Sequence, residues 1–506
     1  MTMGKESGPS ADADDPAVAA PGQLGGVVRR GALTSAITLA FVQAASLVST
    51  LILARLLTPE QVGVFAAATL LTTVLASISE GSLRLALIQR ERDVDDAADT
   101  VFWSTAIGGL LMSVVAAVAA PVLGHFFHND LVTAVALATS GLLFLQSLIN
   151  VPDGLMQRGF NFLRRLVIDP SRALAYGAVA IPLAAYGFGV WSMVLGQYAA
   201  VLVWLVGSWS LARWRPGRGR PSWRLWRELA RFAFPLLVQD IVLYIREMAQ
   251  TAITGRRFGE ATLGSYRYGS RIGLLPGLAV VEIGAYVLFP AFSRMAGDHA
   301  RLRHAFLRAL RWIWFAAAPV AVLVVTLGEQ TVIVLLGEPW REAGMFLAAL
   351  AGYGLGIALQ AVASEAIKAA GRPALFHWTS ALELVLGVGL VIALVPFGLV
   401  GVGIAISVTE LAIGGVLLVL AKPIVGYRFT TLLRILAPAS LAAGVALITA
   451  VFLRGTVASP VGMPTLAALG VLAAQATLLV LCYLLILALV DFRMALRLIT
   501  AIRARF

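Results

Sequence analysis

Residues 54–65 read ARLLTPEQVGVF, and residues 255–266 read GRRFGEATLGSY. Set 201 positions apart, Arg55 falls on Arg256, Leu57 on Phe258, Val62 on Leu263, Gly63 on Gly264 and Phe65 on Tyr266. The first copy carries helix-start chemistry. Thr58 is a good N-cap, Pro59 suits the first helical position, and Gln61 sits where a capping box needs a side-chain acceptor. The second copy has Gly259 and Glu260 there instead. Each copy reads as a turn that ends one helix and starts the next, and the recurrence predicts two related units in one chain.

Composition gives those helices their solvent. Of 506 residues, 59% are hydrophobic and only 13% are charged, with a mean hydropathy of +0.87. That excludes an ordinary soluble protein of this size. Apolar runs of about 20 residues match a membrane-spanning helix, and no period-2 alternation points to a barrel. Fourteen spans are predicted, at 32–54, 61–80, 101–123, 131–151, 166–186, 190–212, 232–254, 262–287, 310–328, 341–363, 375–396, 399–420, 432–453 and 465–490.

The net charge of +12 is mainly a topology signal. With the N-terminus in the cytoplasm, 31 of the 39 Lys and Arg fall on the cytoplasmic side. Five fall outside (Arg55, Arg256, Arg257, Arg341, Arg454) and three within spans (Arg246, Arg267, Arg271). This positive-inside bias places both termini in the cytoplasm and argues against a nucleic-acid partner; membrane lipids are the expected partner of the basic face. Residues 1–28 are small, polar and slightly acidic, and are expected to be a disordered tail. The single cysteine, Cys482, cannot form an internal disulfide and reads as a buried apolar thiol.

Two further landmarks echo across the chain. LMQRGFNF, with Gly159, corresponds to IKAAGRPA, with Gly371; YGFGVW, around Gly189, corresponds to PFGLVG, around Gly398. Their order predicts an all-α polytopic membrane protein with two six-helix lobes related by a pseudo-two-fold axis, plus two C-terminal helices. The expected division is 29–212 for the N-lobe, 213–231 for a basic cytoplasmic linker, 232–421 for the C-lobe and 422–506 for the last two spans and the C-terminus. In the linker, Trp223, Trp226 and Leu229 share a helical face beside Arg224, Arg227 and Arg231, as in an amphipathic interfacial helix. An ordinary basic loop would read the same way.

Polar residues inside spans are where chemistry is expected. In span 7, Gln239, Asp240, Tyr244, Arg246, Glu247, Gln250, Thr251 and Thr254 lie within an arc of about 160°. Span 8 puts Arg267 and Arg271 on one face, with Glu282 further down. A charge at the bilayer centre costs about 2.5–3.5 kcal/mol even on the lenient scale. These residues therefore face a water-filled cavity or pair with one another. Glu80, Asp169, Arg172 and Glu365 fall near span ends, whereas Glu383 and Glu410 are deeper. Glu247, Glu282, Glu383 and Glu410 are candidates for ion or proton coupling.

Several chemistries have no matching motif. There is no GxxxxGK[ST] phosphate loop. His125 and His128 have no third ligand nearby, so no metal site is expected. No outer loop is large enough to hold a catalytic constellation.

The chain resembles the multidrug/oligosaccharidyl-lipid/polysaccharide exporter superfamily, and within it the Wzx-type polysaccharide flippases of the WzxC-like branch. The likeness rests on LARLLTPEQVGVFAAA (53–68), ALIQRERDVDDAADTVFW (86–103), LMQRGFNF (155–162), GFGVWSMVLGQ (187–197), ATLGSYRYGSRIGLLP (261–276) and VLFPAFSRM (287–295). The resemblance implies a V-shaped pair of lobes in the bacterial cytoplasmic membrane, with no cofactor. It also implies movement of a polyprenyl-(pyro)phosphate-linked oligosaccharide from the cytoplasmic to the outer leaflet by alternating access. Polysaccharide polymerase and glycosyltransferases are the implied partners. The expected substrate cavity contains Arg246, Arg267, Arg271, Gln239, Asp240, Tyr244, Glu247 and Gln250. One departure is that the family often carries an Asp in span 7, as in DNLLIGR, where this chain has EMAQTAITGRRFG (247–259). A cation-coupled antiporter of the same superfamily and a membrane glycosyltransferase or polymer ligase are the alternatives. The first favours acidic cavities and twelve spans; the second needs a large outer loop.

Overall fold

The computed structural model describes residues 21–158, 162–212, 214–275, 277, 281, 284–295, 297–372, 374–453 and 458–491. Among these the chain is helical, with no strand. The first half comprises α1 (Pro21–Leu56), α2 (Pro59–Ala68), α3 (Leu70–Gln89), α4 (Val94–Phe127), α5 (Asp130–Ser147), α6 (Asn150–Arg158), α7 (Phe162–Ala185) and α8 (Val190–Leu211). The second comprises α9 (Trp223–Phe258), α10 (Glu260–Gly273), α11 (Phe289–Arg294), α12 (His299–Leu336), α13 (Arg341–Ala349), α14 (Ala351–Ala369), α15 (Leu375–Leu394) and α16 (Gly398–Val425). Two more helices follow, α17 (Phe429–Leu453) and α18 (Thr465–Val490).

Packing follows that division. In the first half α4 lies on α5, α7 on α8 and α1 on α7. In the second, α14 lies on α16, α12 on α13 and α14, and α15 on α16, while α17 and α18 pair and pack on α12. Small residues allow the tightest of these contacts, as expected where lipid removes the usual hydrophobic drive between helices. A Cβ at Gly356 of α14 would collide with the backbone of Glu410 on α16. One at Gly414 would come within 3.0 Å of the Gly356 carbonyl oxygen.

By length and composition, nine described helices or helix runs can cross a membrane, or ten if the bent pair α2–α3 is one span. The count differs from fourteen for physical reasons. Leu375–Val425 is one continuous apolar run of 51 residues, although α15 and α16 pack side by side across a break at Gly398, whose φ is +75°. Helix α9 carries too many charges for a simple apolar span, and α10, at 14 residues, is too short to cross by itself. Within the expected span 262–287, α10 stops at Gly273 and a π-helical turn occupies Gly284–Leu288 before α11; residues 276, 278–280, 282 and 283 lie outside the described residues. Residues 1–20 lie outside the described residues, and the tail boundary expected at residue 28 falls inside α1, which is helical from Pro21. Cys482 is half-buried.

The opening motif folds as its residues dictate. Thr58 Oγ1 accepts from Gln61 N at 3.3 Å, and Gln61 Oε1 accepts from Thr58 N at 3.1 Å, a complete capping box on α2. Residues 62–68 are all buried. At Thr69 the chain bends by 42° into α3. Thr69 Oγ1 donates back to the Phe65 carbonyl at 2.7 Å, and Thr72 and Thr73 donate to the Thr69 carbonyl at 3.0 and 2.8 Å. Such back-bonding loosens the helical ladder and bends it.

The halves meet where the two motif copies meet. Helix α10 packs on α2, and Leu53, Leu57, Val62, Phe65 and Phe127 share one core with Leu263, Tyr268, Leu336, Trp340 and Leu347. Polar contacts cross the same seam. Trp340 Nε1 donates to the Ala54 carbonyl at 2.8 Å. Arg55 Nε donates to the Leu335 carbonyl at 2.8 Å, and its Nη2 donates to that of Val334. Asn129 Nδ2 donates to Glu260 Oε1 at 3.1 Å. Arg55 thus caps the last carbonyls of α12, which have no partner within their own helix.

Candidate functional site

The polar face of α9 meets α15 and α16 halfway along its length. Arg246 is set between two carboxylates there. Its Nη1 donates to Glu410 Oε1 at 2.9 Å and to Glu383 Oε1. All three side chains are largely withdrawn from solvent, with exposures of 14%, 21% and 4% for Arg246, Glu383 and Glu410. Gln360 of α14 donates through Nε2 to Glu410 Oε2 at 2.7 Å and to the Glu410 carbonyl at 3.1 Å. Arg246 Nε is buried and has no partner among the described residues.

Local sequence explains how the guanidinium reaches this point. Gly387 of α15 lies one turn beyond Glu383 and presents no side chain. A Cβ there would stand 3.5 Å from each of Arg246 Cδ, Gln250 Nε2 and Thr409 Cγ2. The close approach of α14 to α16 at Gly356 fixes the Glu410 backbone. One guanidinium therefore faces two carboxylates, and with both ionised the cluster carries one excess negative charge in a low-dielectric setting.

The second basic pair faces the other way. Arg267 and Arg271 lie one turn apart on α10 and face the first half. The Arg267 guanidinium sits 5.6 Å from the ring centroid of Phe65 on α2, a cation–π placement. Arg271 Nη2 donates to Ser46 Oγ on α1. Tyr176 of α7 lies within electrostatic reach of both. Next to them Tyr268 stacks on Trp340, with centroids 4.6 Å apart and planes at 18°. Neither Arg267 nor Arg271 has a carboxylate at ion-pair distance among the described residues, although the Glu247 carboxylate lies within electrostatic reach of Arg267.

The eight cavity residues expected from sequence thus divide into two groups. Arg246 and the buried Gln250 join Glu383 and Glu410 inside the second half. Arg267 and Arg271 lie at the seam between halves. Asp240 and Tyr244 are half-buried on α9, and Glu247 is exposed. The side chain of Gln239 and the whole of Glu282 lie outside the described residues. Gln360, Ser46, Phe65 and Tyr176 are additions from the structure. Of these, Gln360 was legible as an isolated amide in an otherwise apolar span; nothing local marks the others.

A family model described as Polysaccharide biosynthesis protein matches residues 52–344. The succinoglycan biosynthesis transport protein ExoT of Rhizobium meliloti (strain 1021) is 28% identical over 59% of this chain and 60% of its own length. The teichuronic acid biosynthesis protein TuaB of Bacillus subtilis (strain 168) is 25% identical over 60% and 64%. The lipopolysaccharide biosynthesis protein WzxC of Escherichia coli (strain K12) is 24% identical over 62% and 64%. The chain thus spans under two thirds of the length of the curated relatives it matches. Among solved structures, the lipid II flippase MurJ in an inward closed conformation superposes with a TM-score of 0.72 at 15% identity, covering 91% of this chain and 99% of that one. An inward-facing multidrug resistance transporter of the MATE family gives 0.63 at 16% identity, covering 77% and 98%. These likenesses establish the fold.

Proposed function

The chain belongs to the polysaccharide biosynthesis protein family, and from that premise we propose that it is a flippase for a polyprenyl-(pyro)phosphate-linked oligosaccharide. It carries this substrate from the cytoplasmic to the outer leaflet of the bacterial inner membrane by alternating access, with both termini cytoplasmic. The names of the relatives, a succinoglycan transport protein among them, support the substrate class. So does the lipid II flippase whose fold this chain shares.

One observation carries the reading. Arg267 and Arg271 present two guanidinium groups at the junction of the halves without a carboxylate partner among the described residues. A guanidinium matches phosphate oxygens with two parallel donors, so an adjacent pair suits a diphosphate that must leave water. Tyr176 and Ser46 supply hydroxyls beside it. Arg246 has a different role. Its charge is already matched by Glu383 and Glu410, so it organises the second half and does not clamp phosphate. The excess carboxylate in that cluster is the group we assign to ion or proton coupling, a task for which Glu247 and Glu282 are also candidates.

The test is complementation in a host lacking its own flippase, with leaflet-resolved analysis of lipid-linked sugars. Arg267→Gln combined with Arg271→Gln, at normal abundance, abolishes export and leaves the lipid-linked sugar on the cytoplasmic side. Full export by the double variant refutes the phosphate assignment. Accumulation on the outer leaflet when the protein is depleted would instead indicate a polymer ligase or polymerase.

A further inference from the structure

The basic linker is a built surface. Asp99 of α4 is fully buried, and its carboxylate accepts hydrogen bonds from Gly217 N at 2.9 and 3.1 Å and from Gly219 N. Asp96 Oδ1 accepts from Arg220 N at 2.9 Å, and Thr100 Oγ1 accepts from Ser222 N at 3.1 Å. Glycine is required at two of these points. Gly217 has a φ of +95°, and a Cβ at Gly219 would collide with the Asp95–Asp96 peptide. Trp214 is buried, and Arg215 donates to the Trp209 and Trp214 carbonyls, both at 2.7 Å.

Helix α9 continues the attachment. Leu225 and Leu229 join Ala86, Leu87, Ala97 and Val101 of the first half in one core, and Arg90 pairs with Glu228 at 2.9 Å. The opposite face is consequently fixed outward. Arg218, Arg220, Arg224, Arg227 and Arg231 are all exposed. Trp223, 66% exposed, stacks on Trp226 at 4.4 Å and 14°, and the Arg227 guanidinium lies 5.9 Å from the Trp223 centroid. Residues 214–231 contain six arginines and a single acid, Glu228, which is already paired.

We infer that this face is a docking surface for the anionic phospholipid head groups of the bilayer that the protein spans. Charge complementarity identifies the occupant, and the stacked tryptophans among the arginines are the side chains that partition to the head-group level. Geometry agrees. At 1.5 Å per residue the 36-residue α9 is about 54 Å long, against a hydrocarbon core of about 30 Å, so its first turns extend into the interface. The same rise puts Arg246 about 22 Å beyond Arg231, which separates this surface from the buried cluster. The inference does not depend on the flippase reading.

Native mass spectrometry of the detergent-purified full-length protein tests it, with phosphatidylglycerol and phosphatidylcholine as separate probes. The wild type retains phosphatidylglycerol in preference to phosphatidylcholine. Arg224→Gln reduces that retention about fivefold, the factor equivalent to the ~1 kcal/mol contributed by one basic residue near an anionic surface. The combination of Arg218→Gln, Arg220→Gln, Arg224→Gln and Arg227→Gln removes the preference, leaving phosphatidylcholine binding and thermal stability unchanged. Asp99→Ala also weakens it, although every arginine is present, because the linker is released. An undiminished phosphatidylglycerol preference in the quadruple variant overturns the proposal. Displacement of the lipid by equimolar inorganic pyrophosphate does so as well, since the surface would then belong to a substrate diphosphate.

Discussion

Gly63 and Gly264 lie against each other across the junction of the two halves. A Cβ on Gly264 would stand 3.0 Å from Gly63 N and would overlap the Pro59 carbonyl oxygen, and a Cβ on Gly63 would overlap the carbonyl oxygen of Glu260. The contacts are reciprocal, because Pro59 and Glu260 are separated by the same 201 positions as the two glycines. A two-fold interface has this self-complementary form. The repeated turn is thus a pair of matching surfaces, each receiving the other.

Side chains at these positions should force the halves apart. Gly63→Val and Gly264→Val meet backbone, which cannot rotate away, and overpacking of this kind costs about 1–3 kcal/mol. Each variant should unfold at a lower temperature in detergent and should lose export. A variant with wild-type thermal stability and export would show that the seam tolerates separation.

The buried cluster makes an asymmetric prediction. Arg246→Ala strands two carboxylates and should destabilise the protein by about 3–5 kcal/mol. Arg246→Met with Glu383→Gln and Glu410→Gln removes the charges together and should recover most of that loss. Thermal unfolding in detergent reads both. If Arg246→Ala unfolds like the wild type, the three charges are not energetically linked.

Arg55 holds the seam from the first half by capping the end of α12. Arg55→Ala removes hydrogen bonds of about 1 kcal/mol net each, and the population with an open seam should increase severalfold. In a Cys482→Ala background, Leu57→Cys reports this, since Leu57 is 5% exposed in the seam. Its labelling by an impermeant maleimide should accelerate when Arg55→Ala is added. An unchanged rate would remove Arg55 from the latch.

The linker clamp is open to a protease test. Asp99→Ala leaves the Gly217 and Gly219 N–H groups without their acceptor, at a cost of about 1–3 kcal/mol. Limited trypsin digestion should then cut after Arg218, the one arginine between residues 215 and 221 that no proline follows, much faster than in the wild type. Equal digestion rates would mean that the carboxylate does not hold the segment.

Much of this architecture is legible from the sequence, because it rests on local signals. The duplicated turn, the capping box at Thr58 and the arginine–tryptophan face of the linker are all written within a dozen residues. The partners of Arg246 are not. Glu383 and Glu410 are 137 and 164 positions away, and an intramembrane arginine has the same local pattern whether it faces substrate or carboxylates. The orientation of Arg267 and Arg271 toward Phe65 and Ser46 is equally nonlocal. Nothing near Asp99 in the sequence marks it as an acceptor, since that role depends on backbone N–H groups more than a hundred residues later.

One helix is gripped alternately by the two halves, its first turns and Arg256 by the first half and its middle by the second. The first turns of α9 are embedded in the core with Ala86 and Leu87, while Arg246, further along, is bound to Glu383 and Glu410. The halves therefore cannot roll over each other as independent bodies. Any rotation between them must be stored as twist or curvature in the intervening stretch of α9, which acts as a torsion bar returning the halves toward one setting. Spin labels at Arg227 and Arg256 would measure the strain as a change in separation during turnover, and a constant separation would locate the compliance outside this helix.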